Sequence, residues 1–516
     1  MKRVVGNLEL RQKMSEAVNM LCDTVKTTLG PKGSNVIIDH STFSPFITND
    51  GVTIAMNIES EDEVINTILE IAKEASIKTN DKVGDGTTTT LVLLQSIFNN
   101  GMKLIEEGKN PIILKKELDE NLEQIINYLK SESYEPKNED LYKIAKISAN
   151  SHELGKLITD AYLKVKNINA ISIKENKNNE TKILYRKGYT IDTLIGSQYF
   201  FRDTNQINLT NTKILIVNNY LNDIEEIGNV LNYIIKKKKE LLIICEDYSD
   251  LFMNQILNLF LNENILVYLL KVPEYGKNKI DTLNDLSLIS NSKIVDDISY
   301  ISELMLGDIK SVNIDKEYTT FCVEDNLKIN EKIIELKKIE NKNDIDINFI
   351  NKRISMLENG LIDILVGAST DTERREKKMR CDDALYAIST SKNGILPGSG
   401  IKLYELSDSM DIINDTTKIL INSLKEPFKQ IMYNSGLDGE SIINNIKKEK
   451  YNIIFNINND SYENIKDTEV VDPLYVIINS LINSISIAGM LLTTSSLVIN
   501  EYVNKNNNNN NIFNEI

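Results

Sequence analysis

Apolar residues recur at helical spacing in the first part of the chain. In three segments they fall three and four residues apart, which places them on one face of a helix. The apolar positions of these segments are Leu10, Met14, Ala17, Val18, Leu21 and Val25; Val64, Ile68, Ile71, Ala72 and Ala75; and Leu93, Leu94, Ile97 and Phe98. The chain up to about residue 130 is therefore predicted to be mostly helical, with glycine-containing loops between the helices.

The middle of the chain follows a different pattern. Short apolar runs at 214–217, 241–244 and 265–270 alternate with helical stretches near 224–235 and 250–262. Strands that alternate with helices are typical of an α/β domain, in which helices cover a sheet with parallel strands. We therefore predict a small α/β domain with a partly parallel sheet between the helical parts of the chain.

The helical pattern returns towards the C-terminus, after about residue 395. Residues 474–500 carry no charged side chain and are long enough to cross a bilayer. Ser, Thr and Asn residues interrupt this stretch, and a lipid-facing helix would not carry so many polar groups. We therefore predict a buried core helix here rather than a membrane span. The Asn-rich segment 504–516 cannot bury a core and is predicted to be a disordered tail.

The charge and cysteine content exclude several classes of function. The 75 Asp and Glu residues outnumber the 59 Lys and Arg residues, so the net charge is −16. A surface that binds duplex nucleic acid needs an excess of basic residues, so nucleic acid is not an expected partner, and neither is a membrane. The four cysteines show no CxxC spacing, which argues against a disulfide framework and a zinc site. A histidine-based site would have to use His40 or His152.

The N-terminal residues carry no targeting signal that we can identify. They lack the apolar core of a signal peptide and the long Arg- and Ser-rich composition of a transit segment. We therefore expect the protein to work where it is made. Two settings fit this expectation equally, namely the cytoplasm of a bacterium or endosymbiont, and the stroma or matrix of an organelle that encodes the protein.

Four loops carry residues suited to phosphate chemistry, although the sequence contains no GxxxxGK[ST] motif and no GxGxxG after a strand. The first loop, 27–33 (TTLGPKG), follows the first helix. Its glycines allow the backbone to approach an anion closely, but a Gly-Pro turn also commonly ends a helix. The second loop, 48–53 (TNDGVT), is equally typical of a hairpin turn. Each of these two loops is weak support when taken alone.

The third loop, 83–90 (VGDGTTTT), is more informative because it leads into an apolar helix. The N-terminal amides of a helix and its positive dipole end favour an anion. The threonine hydroxyls can donate to phosphate oxygens, and Asp85 can hold Mg²⁺, which prefers oxygen ligands. A helix N-cap alone would need one such residue rather than four. The fourth loop, 397–400 (PGSG), follows Asp382 and Asp383, a pair that is also typical of a solvated helix face.

Together these motifs resemble the group I chaperonins, the GroEL family. The matching stretches occur in the order and spacing of that family over nearly the whole chain. They are TTLGPKG, ITNDGVTIA, NDKVGDGTTTT, ISANS, LLIICED, REKKMRCDDAL, DDALYAI, PGSG and VVDP. The LGPKG and GDGTTT pieces also occur in group II chaperonins, whereas the length, the layout and ISANS favour group I.

The resemblance implies a multidomain α and α/β fold, the chaperonin subunit. A helical equatorial ATPase domain would comprise residues 1–132 and 395–503. A small intermediate domain would comprise residues 133–187 and 369–394. The α/β apical domain, which would bind substrates, would comprise residues 188–368 and would contain the predicted parallel strands.

The resemblance also implies an ATPase site with Mg²⁺ and K⁺ as cofactors. Asp85 would hold Mg²⁺, while the backbones of Thr28 and Asn49 would help to hold K⁺. Asp383 would orient the attacking water, and Asp50 would assist it. By their position in the family's motifs, the residues that would bind the nucleotide and its cations are Thr28, Leu29, Gly30, Pro31, Asn49, Asp85, Gly86, Thr87, Thr88, Thr89, Gly398, Ser399, Asn456, Ile457, Asn458, Val470 and Asp472.

These residues would divide the nucleotide between them. Residues 28–31 and 87–89 would surround the phosphates, residues 456–458 with Val470 would border the base, and Asp472 would reach the ribose. Ser399 stands where the family has the middle glycine of a Gly-Gly-Gly turn. Phosphoryl transfer depends on positioning and charge compensation. An acid on a moving domain, as implied for Asp383, would therefore couple hydrolysis to closure.

An exposed apolar groove on the apical domain would bind unfolded chains, since such surfaces normally mark binding sites. The residues that match this groove by position are Ile195, Tyr199, Phe200, Leu231, Met253 and Leu257. For each of them, ordinary core packing is the alternative that the residue type alone favours. Gly228 and Asn258 stand where the family has aliphatic residues, and Thr193 replaces a basic residue. These three departures would weaken or retune binding of clients or of a lid.

The resemblance therefore implies an ATP-dependent molecular chaperone that promotes protein folding. Its subunits would assemble into heptameric rings, two of them back to back, and would enclose non-native protein clients under a small co-chaperonin lid of the GroES type. The alternative is a decayed ring-forming scaffold or binding paralogue that has no productive folding cycle. Because Asp50, Asp85, Asp383 and Asp472 are all present, we expect an active ATPase.

Overall fold

The computed structural model describes most of the chain. The described residues are 2–39, 45–202, 204–263, 265–324, 327–339, 347–358 and 360–500. His40 and the segment 504–516, which the sequence predicts to be a disordered tail, lie outside the described residues.

Helices account for most of the regular structure. Their bounds are α1 (Asn7–Val25), α2 (Gly51–Met56), α3 (Glu63–Val83), α4 (Thr87–Glu106), α5 (Pro111–Glu132), α6 (Asn138–Ser148), α7 (His152–Val165), α8 (Gly228–Lys237), α9 (Asp250–Asn262), α10 (Gly276–Ser290), α11 (Leu327–Ile339), α12 (Ile347–Glu358), α13 (Asp371–Ser391), α14 (Ile401–Ser409), α15 (Asp415–Leu424), α16 (Glu426–Asn434), α17 (Gly439–Lys448) and α18 (Leu474–Thr493).

The strands are concentrated in the middle of the chain. Their bounds are β1 (Lys2–Gly6), β2 (Val36–Ile38), β3 (Phe46–Thr48), β4 (Ile171–Glu175), β5 (Lys182–Arg186), β6 (Tyr189–Asp192), β7 (Leu194–Ile195), β8 (Gln206–Leu221), β9 (Leu241–Tyr248), β10 (Val267–Lys271), β11 (Ile294–Val295), β12 (Gly307–Asp315), β13 (Tyr318–Phe321), β14 (Leu361–Val366), β15 (Ile395–Pro397), β16 (Ile453–Asn456), β17 (Ser461–Asn464), β18 (Val471–Pro473) and β19 (Ser496–Asn500).

The described residues fold into two compact units. The first contains the described parts of Met1–Asp160, Glu175–Glu180 and Val366–Ile516, and the second contains those of Ala161–Lys174 and Thr181–Leu365. Helices α6 and α13, which the sequence assigns to an intermediate domain, belong to the first unit. The division of the chain into three domains with the boundaries given above stays a prediction.

An eight-stranded sheet forms the centre of the second unit. Seven strands follow the order β6-β13-β12-β8-β9-β10-β7, and β11 pairs with β8. Strands β8, β9 and β10 run parallel, with Leu215 opposite Ile243 and Ile243 opposite Leu269. These three side chains are fully buried, and α8 and α9 follow β8 and β9 in the chain. The predicted α/β domain with a partly parallel sheet is thus confirmed.

Helices from both ends of the chain form the core of the first unit. The predicted apolar face of α1 is buried along its whole length, as are most of the apolar positions of α3 and α4. Asp62 caps the N-terminus of α3, where its side chain accepts from the N–H groups of Val64 and Ile65, and Gly84 caps the C-terminus. Helix α18 packs against α3, α4 and α5. The mostly helical start of the chain is confirmed.

Helix α18 forms most of the uncharged stretch 474–500, which is long enough to cross a bilayer. By length and composition it could cross a membrane, but 72% of its most apolar window is buried inside the structure. Its polar side chains find partners in the core, since Asn483 donates to Thr79 Oγ1 at 2.8 Å and Ser480 donates to the carbonyl of Gly86 at 3.2 Å. These contacts confirm the prediction of a core helix.

Candidate active site

A cavity of about 300 Å³ lies within the first unit, at the lower end of the size range of ligand pockets. Its wall joins loops near the N-terminus, helix α13 and segments near the C-terminus. The sequence-predicted residues in this wall are Thr28, Leu29, Gly30, Pro31, Asn49, Asp50, Asp85, Gly86, Thr87, Thr88, Thr89, Asp383, Ser399, Asn456, Ile457, Asn458, Val470 and Asp472. Gly398 is not part of the wall but lies against Asp472, which a Cβ atom on Gly398 would approach to 3.0 Å.

The first loop of the wall follows a short 3-10 helix at Lys26–Thr28. Gly30 has a φ of 90°, a left-handed backbone conformation that favours glycine. The side-chain amide of Asn434 in α16 donates to the carbonyl oxygens of Lys26 and Leu29 at 2.8 and 2.9 Å. The loop is therefore anchored from the C-terminal half of the chain, with Thr28 and Gly30 facing the cavity.

The loop between α3 and α4 depends on its two glycines. Gly84 (φ 65°) and Gly86 (φ 78°) both adopt left-handed backbone conformations. A Cβ atom would lie 2.3 Å from the ring of Tyr386 at Gly84, and 2.5 Å from Val476 Cγ1 at Gly86. The Gly-Asp-Gly sequence thereby holds Asp85 in the cavity wall, directly before the N-terminus of α4.

The N-terminus of α4 offers a set of donors to the cavity. The first amides of a helix have no partner within the helix, and the N-cap Gly86 has no side chain to cap them. The hydroxyl of Thr28 lies 3.4 Å from that of Thr88. Gly51 packs so closely that a Cβ atom there would lie 2.5 Å from Thr88 Oγ1 and 2.9 Å from Thr87 Oγ1. Amides and hydroxyls at the positive end of a helix suit a phosphate group.

Asp50 is held at the N-terminus of α2. Its carboxylate accepts from the N–H groups of Val52 at 3.3 Å and Thr53 at 2.9 Å, and so caps the helix. The cap fixes the orientation of a carboxylate that also faces the cavity.

Three aspartates of the cavity wall have raised pKa values, because they are buried and lie near other acids. Burial, and then the charge of Asp50, raises the pKa of Asp85, although the N–H of Gly86 and the hydroxyl of Ser148 donate to its carboxylate. Burial and the charge of Asp85 raise the pKa of Asp472 to about 7. Burial, together with Asp85, Asp50 and Asp382, raises the pKa of Asp383 well above its usual range. A bound cation would relieve this repulsion.

The donor set fits a cation that shares its ligands with a phosphate. Among the described residues, no group of three or more His, Cys, Asp and Glu side chains could hold a metal ion. Mg²⁺ usually binds through one or two carboxylates together with substrate phosphates and water. Asp85, beside the phosphate-suited amides of α4, has the chemistry of such a ligand.

Helix α13 presents one of its two adjacent aspartates to the cavity. Asp383 belongs to the wall, whereas Asp382 does not. Neighbouring residues on a helix point about 100° apart, which accounts for the difference. Burial raises the pKa of Asp382 to about 6.

The opposite wall is built on a short antiparallel pair, β15 and β18, in which Leu396 lies opposite Asp472. Ser399 follows with a φ of 57°, a left-handed conformation that is strained for a residue with a side chain. This agrees with the glycine that the family has at its position. Asn456 is 3% exposed, donates to Glu463 at 2.7 Å and accepts from the N–H of Asn458 at 3.0 Å.

A match to a protein-family profile identifies the family of the chain. The profile described as the TCP-1/cpn60 chaperonin family matches residues 21–501, which is most of the sequence. The chain belongs to this family. The membership that its motifs predict is thereby confirmed.

Two solved structures share the fold of this chaperonin. Both are crystal structures of the chaperonin gp146 from the bacteriophage EL 2 (Pseudomonas aeruginosa) in the presence of ATP-BeFx. Crystal form I has a TM-score of 0.68 at 21% sequence identity, and crystal form II has a TM-score of 0.61 at 20% identity. Each alignment covers 97% of this chain and 99% of the phage chain. The predicted multidomain α and α/β fold of a chaperonin subunit is confirmed.

The cavity of the chaperonin also contains residues that the sequence analysis did not single out. They include Gly51 at the start of α2, Lys146 and Ser148 at the end of α6, Arg380 in α13 and Glu469 before β18. Ser148 lies in the ISANS stretch and Arg380 in REKKMRCDDAL, so the matched motifs were a signal for both. For Lys146 and Glu469 the sequence offers no such signal, because charged residues on helix ends and loops are common.

The predicted apical groove residues of the chaperonin differ in exposure. Tyr199 is 68% exposed, and Ile195 and Leu257 are partly exposed. In contrast, Phe200, Leu231 and Met253 are buried, so the exposure expected of them is corrected. Phe200 shows the reason, since its ring packs edge-on against Phe260 with 5.1 Å between centroids. A client-binding role for the six residues stays a prediction.

Proposed function

We propose that this chaperonin hydrolyses ATP and uses the reaction to capture, enclose and fold non-native proteins. One observation carries the proposal. Four aspartates from distant parts of the chain share a cavity with the N-terminus of α4. Three of them, Asp85, Asp383 and Asp472, have pKa values raised by burial and by neighbouring acids, which is typical of catalytic sites. Phosphoryl transfer needs positioned carboxylates together with anion-binding amides, and this cavity has both.

We assign Mg²⁺ to Asp85 and K⁺ to the backbones of Thr28 and Asn49. Mg²⁺, when bound, would neutralise charge on the phosphates of ATP. Residues 87–89 would bind those phosphates through amides and hydroxyls, and Gly86 would allow them to approach closely. The base would lie near residues 456–458 and Val470, and the ribose near Asp472.

Asp383 would orient the attacking water and accept its proton, with Asp50 supporting it. A carboxylate can accept a proton only when it is ionised, and burial together with the neighbouring acids opposes ionisation of Asp383. Positive charge held beside Asp85 would offset that repulsion and lower the pKa of Asp383. Asp383 would then be ionised mainly when ATP and its cation are bound, and it would act as a base only in that state.

The rest of the proposed cycle follows from the family. The subunits would form heptameric rings, stacked in pairs, with the three domains predicted above. Clients would bind to apolar residues of the second unit, of which Tyr199 is the most exposed in the predicted set. A small lid protein of the GroES type would close the ring, and the expected compartments are those given by the sequence analysis.

The test combines nucleotide turnover with client folding. The wild-type protein should hydrolyse ATP, refold a chemically denatured client when a lid protein is present, and form rings in electron micrographs with and without ATP. Asp85→Ala should abolish turnover and weaken Mg²⁺-dependent nucleotide binding. Rings without turnover in the wild type would instead identify a scaffold without a folding cycle. Normal Mg²⁺-dependent turnover in Asp85→Ala would refute the metal assignment.

A further inference from the structure

Arg380 has a hydrogen-bonding group that the protein itself does not use. Its Nη2 pairs with Glu376 Oε1, one turn earlier in α13, at 2.5 Å. Its Nε is buried, yet it has no hydrogen-bond partner among the described residues. A buried donor without a partner is unfavourable, so such a group calls for an explanation.

The position of Arg380 supplies that explanation. Its side chain lines the same cavity as Asp383, and the two residues are three positions apart on α13, so they lie on one face of the helix. The guanidinium is largely buried, with 24% of the side chain exposed. The helix that carries the proposed base thus also carries a cation into the cavity.

The charges of the cavity wall show why a cation is needed there. Among the described residues of the wall, Asp50, Asp85, Asp383, Asp472 and Glu469 are acidic, and only Lys146 and Arg380 are basic. The Nζ of Lys146 lies 2.7 Å from Glu469, so its charge is already compensated. Arg380 is likewise paired, with Glu376, but among the described residues of the wall it alone has a buried cationic donor without a partner. A nucleoside triphosphate brings several negative charges into this acidic site.

We propose that Arg380 contacts the terminal phosphate of ATP and thereby distinguishes ATP from ADP. The inference rests on the proposed ATPase function and adds a residue to it. Glu376 accepts from Nη2 of the guanidinium, and Nε donates to an oxygen of the terminal phosphate. The planar group of arginine suits this division, since it has five donors in a fixed fork. Contact from α13 also places Arg380 beside the oxygen atoms at which charge develops during transfer.

The alternative is that Arg380 serves only to stabilise α13 through its pair with Glu376. Pairs of opposite charge four residues apart on a helix are common and contribute little to stability. Such a pair uses Nη2 alone and gives no reason for an Nε without a partner in a side chain that lines a cavity. It also predicts no difference between the affinities for ATP and ADP.

The experiment measures the affinities for ADP and for a non-hydrolysable ATP analogue, and single-turnover hydrolysis, in the full-length protein. Arg380→Gln should weaken binding of the triphosphate about 10- to 100-fold, as expected for a lost charge-assisted hydrogen bond, and should change binding of ADP by less than about threefold. Hydrolysis should slow by at least about tenfold. Arg380→Lys keeps the charge and should recover part of the triphosphate affinity.

Arg374→Gln is the matched control, because Arg374 lies on the same helix but pairs with Glu175 and Asp371. It should leave both affinities unchanged. Equal losses for ATP analogue and ADP in Arg380→Gln, or no loss for either, would overturn the inference while leaving the ATPase proposal intact. A wild-type protein that binds neither nucleotide would overturn both.

Discussion

The ammonium group of Lys146 lies 2.7 Å from the carboxylate of Glu469, although 323 residues separate the two in sequence. Lys146 is in the last turn of α6, and Glu469 is in the segment before β18. The hydrogen bond that Lys146 donates to Glu469 raises the pKa of Lys146. Since both residues line the cavity, the pair joins two segments of its wall.

We expect this ion pair to slow nucleotide release. Both side chains are partly exposed, so the pair is worth no more than about 1 kcal/mol, which corresponds to roughly a fivefold change in rate. Lys146→Gln should therefore accelerate ADP dissociation about two- to fivefold in stopped-flow measurements. Exchanging the charges in the double variant Lys146→Glu/Glu469→Lys should restore the slow rate. Equal rates in wild type and Lys146→Gln would show that the pair does not hold the nucleotide.

Asp383 and Asp382 should respond differently to the same substitution. Asp383→Ala removes the carboxylate that faces the cavity, and should slow single-turnover hydrolysis by about two to four orders of magnitude with near-normal ATP binding. Asp382→Ala should change hydrolysis only slightly, because Asp382 lies outside the wall. Comparable small losses in both variants would exclude a catalytic role. A larger loss in Asp382→Ala would mean that the helix turns its other face to ATP.

The acidic cavity should make the nucleotide-free protein less stable as the pH rises. The pKa of Asp472 is about 7 in the folded protein, against an ordinary value of 3.8. Between these values the folded state binds more protons than the unfolded state, so stability falls as pH increases. Asp472→Asn removes this ionisation and should raise the thermal unfolding midpoint at pH 8 by about 2–6 °C, with little change near pH 4.

Asp467→Asn serves as the control for this titration, since Asp467 is an exposed residue of the same segment. It should leave the midpoint unchanged at both pH values. A midpoint of Asp472→Asn that follows the wild type across the whole range would show that Asp472 stays ionised in the folded protein.

Gly51 should be essential for the phosphate-binding end of α4. Because a Cβ atom would lie 2.5 Å from Thr88 Oγ1, Gly51→Ala should push α2 and α4 apart. We expect ATP affinity to fall about tenfold or more, in keeping with the typical cost of 1–3 kcal/mol for overpacking. Gly228→Ala is the control, as no atom lies within 4 Å of its Cβ position. Isothermal titration that finds unchanged affinity in Gly51→Ala would contradict this close packing.

Tyr199 should contribute to capture of unfolded chains. Its ring is 68% exposed, and burying a glutamate in a client interface would be unfavourable. Tyr199→Glu should therefore reduce co-sedimentation of a denatured client with the ring, and Leu257→Ser should do so to a smaller extent. Tyr275→Glu, at an 87% exposed ring of the same unit, should have no effect. If Tyr199→Glu and Leu257→Ser both capture the client as well as wild type, the binding surface lies elsewhere.

Periodic patterns explain how much of the fold could be predicted. One face of α1 is buried along its length, and such burial leaves apolar residues at helical spacing. The parallel strands β8, β9 and β10 are covered on both faces and therefore appear as continuous apolar runs. In the loop between α3 and α4, the left-handed backbone conformations of residues 84 and 86 favour glycine, so the Gly-Asp-Gly motif could be recognised in the sequence.

Features that depend on distant neighbours could not be predicted in this way. Phe200 and Tyr199 are adjacent aromatic residues, yet one is 2% and the other 68% exposed. The difference arises from Phe260 and Tyr268, which enclose the ring of Phe200, and no local pattern encodes that contact. The sequence likewise does not predict that Nε of Arg380 lacks a partner, because this depends on the residues that surround it in the folded protein.

The packing of α18 against α3, α4 and α5 has a consequence for how the protein is made. The ribosome releases α4 several hundred residues before α18, a delay of roughly 20–70 s at typical rates of synthesis. The second unit, which comes from a nearly uninterrupted stretch of chain, can fold during that interval, whereas the first cannot. The apolar surface of α3 and α4 that α18 covers would therefore stay exposed on the nascent chain until α18 emerges, and we expect this surface to need protection from aggregation during synthesis.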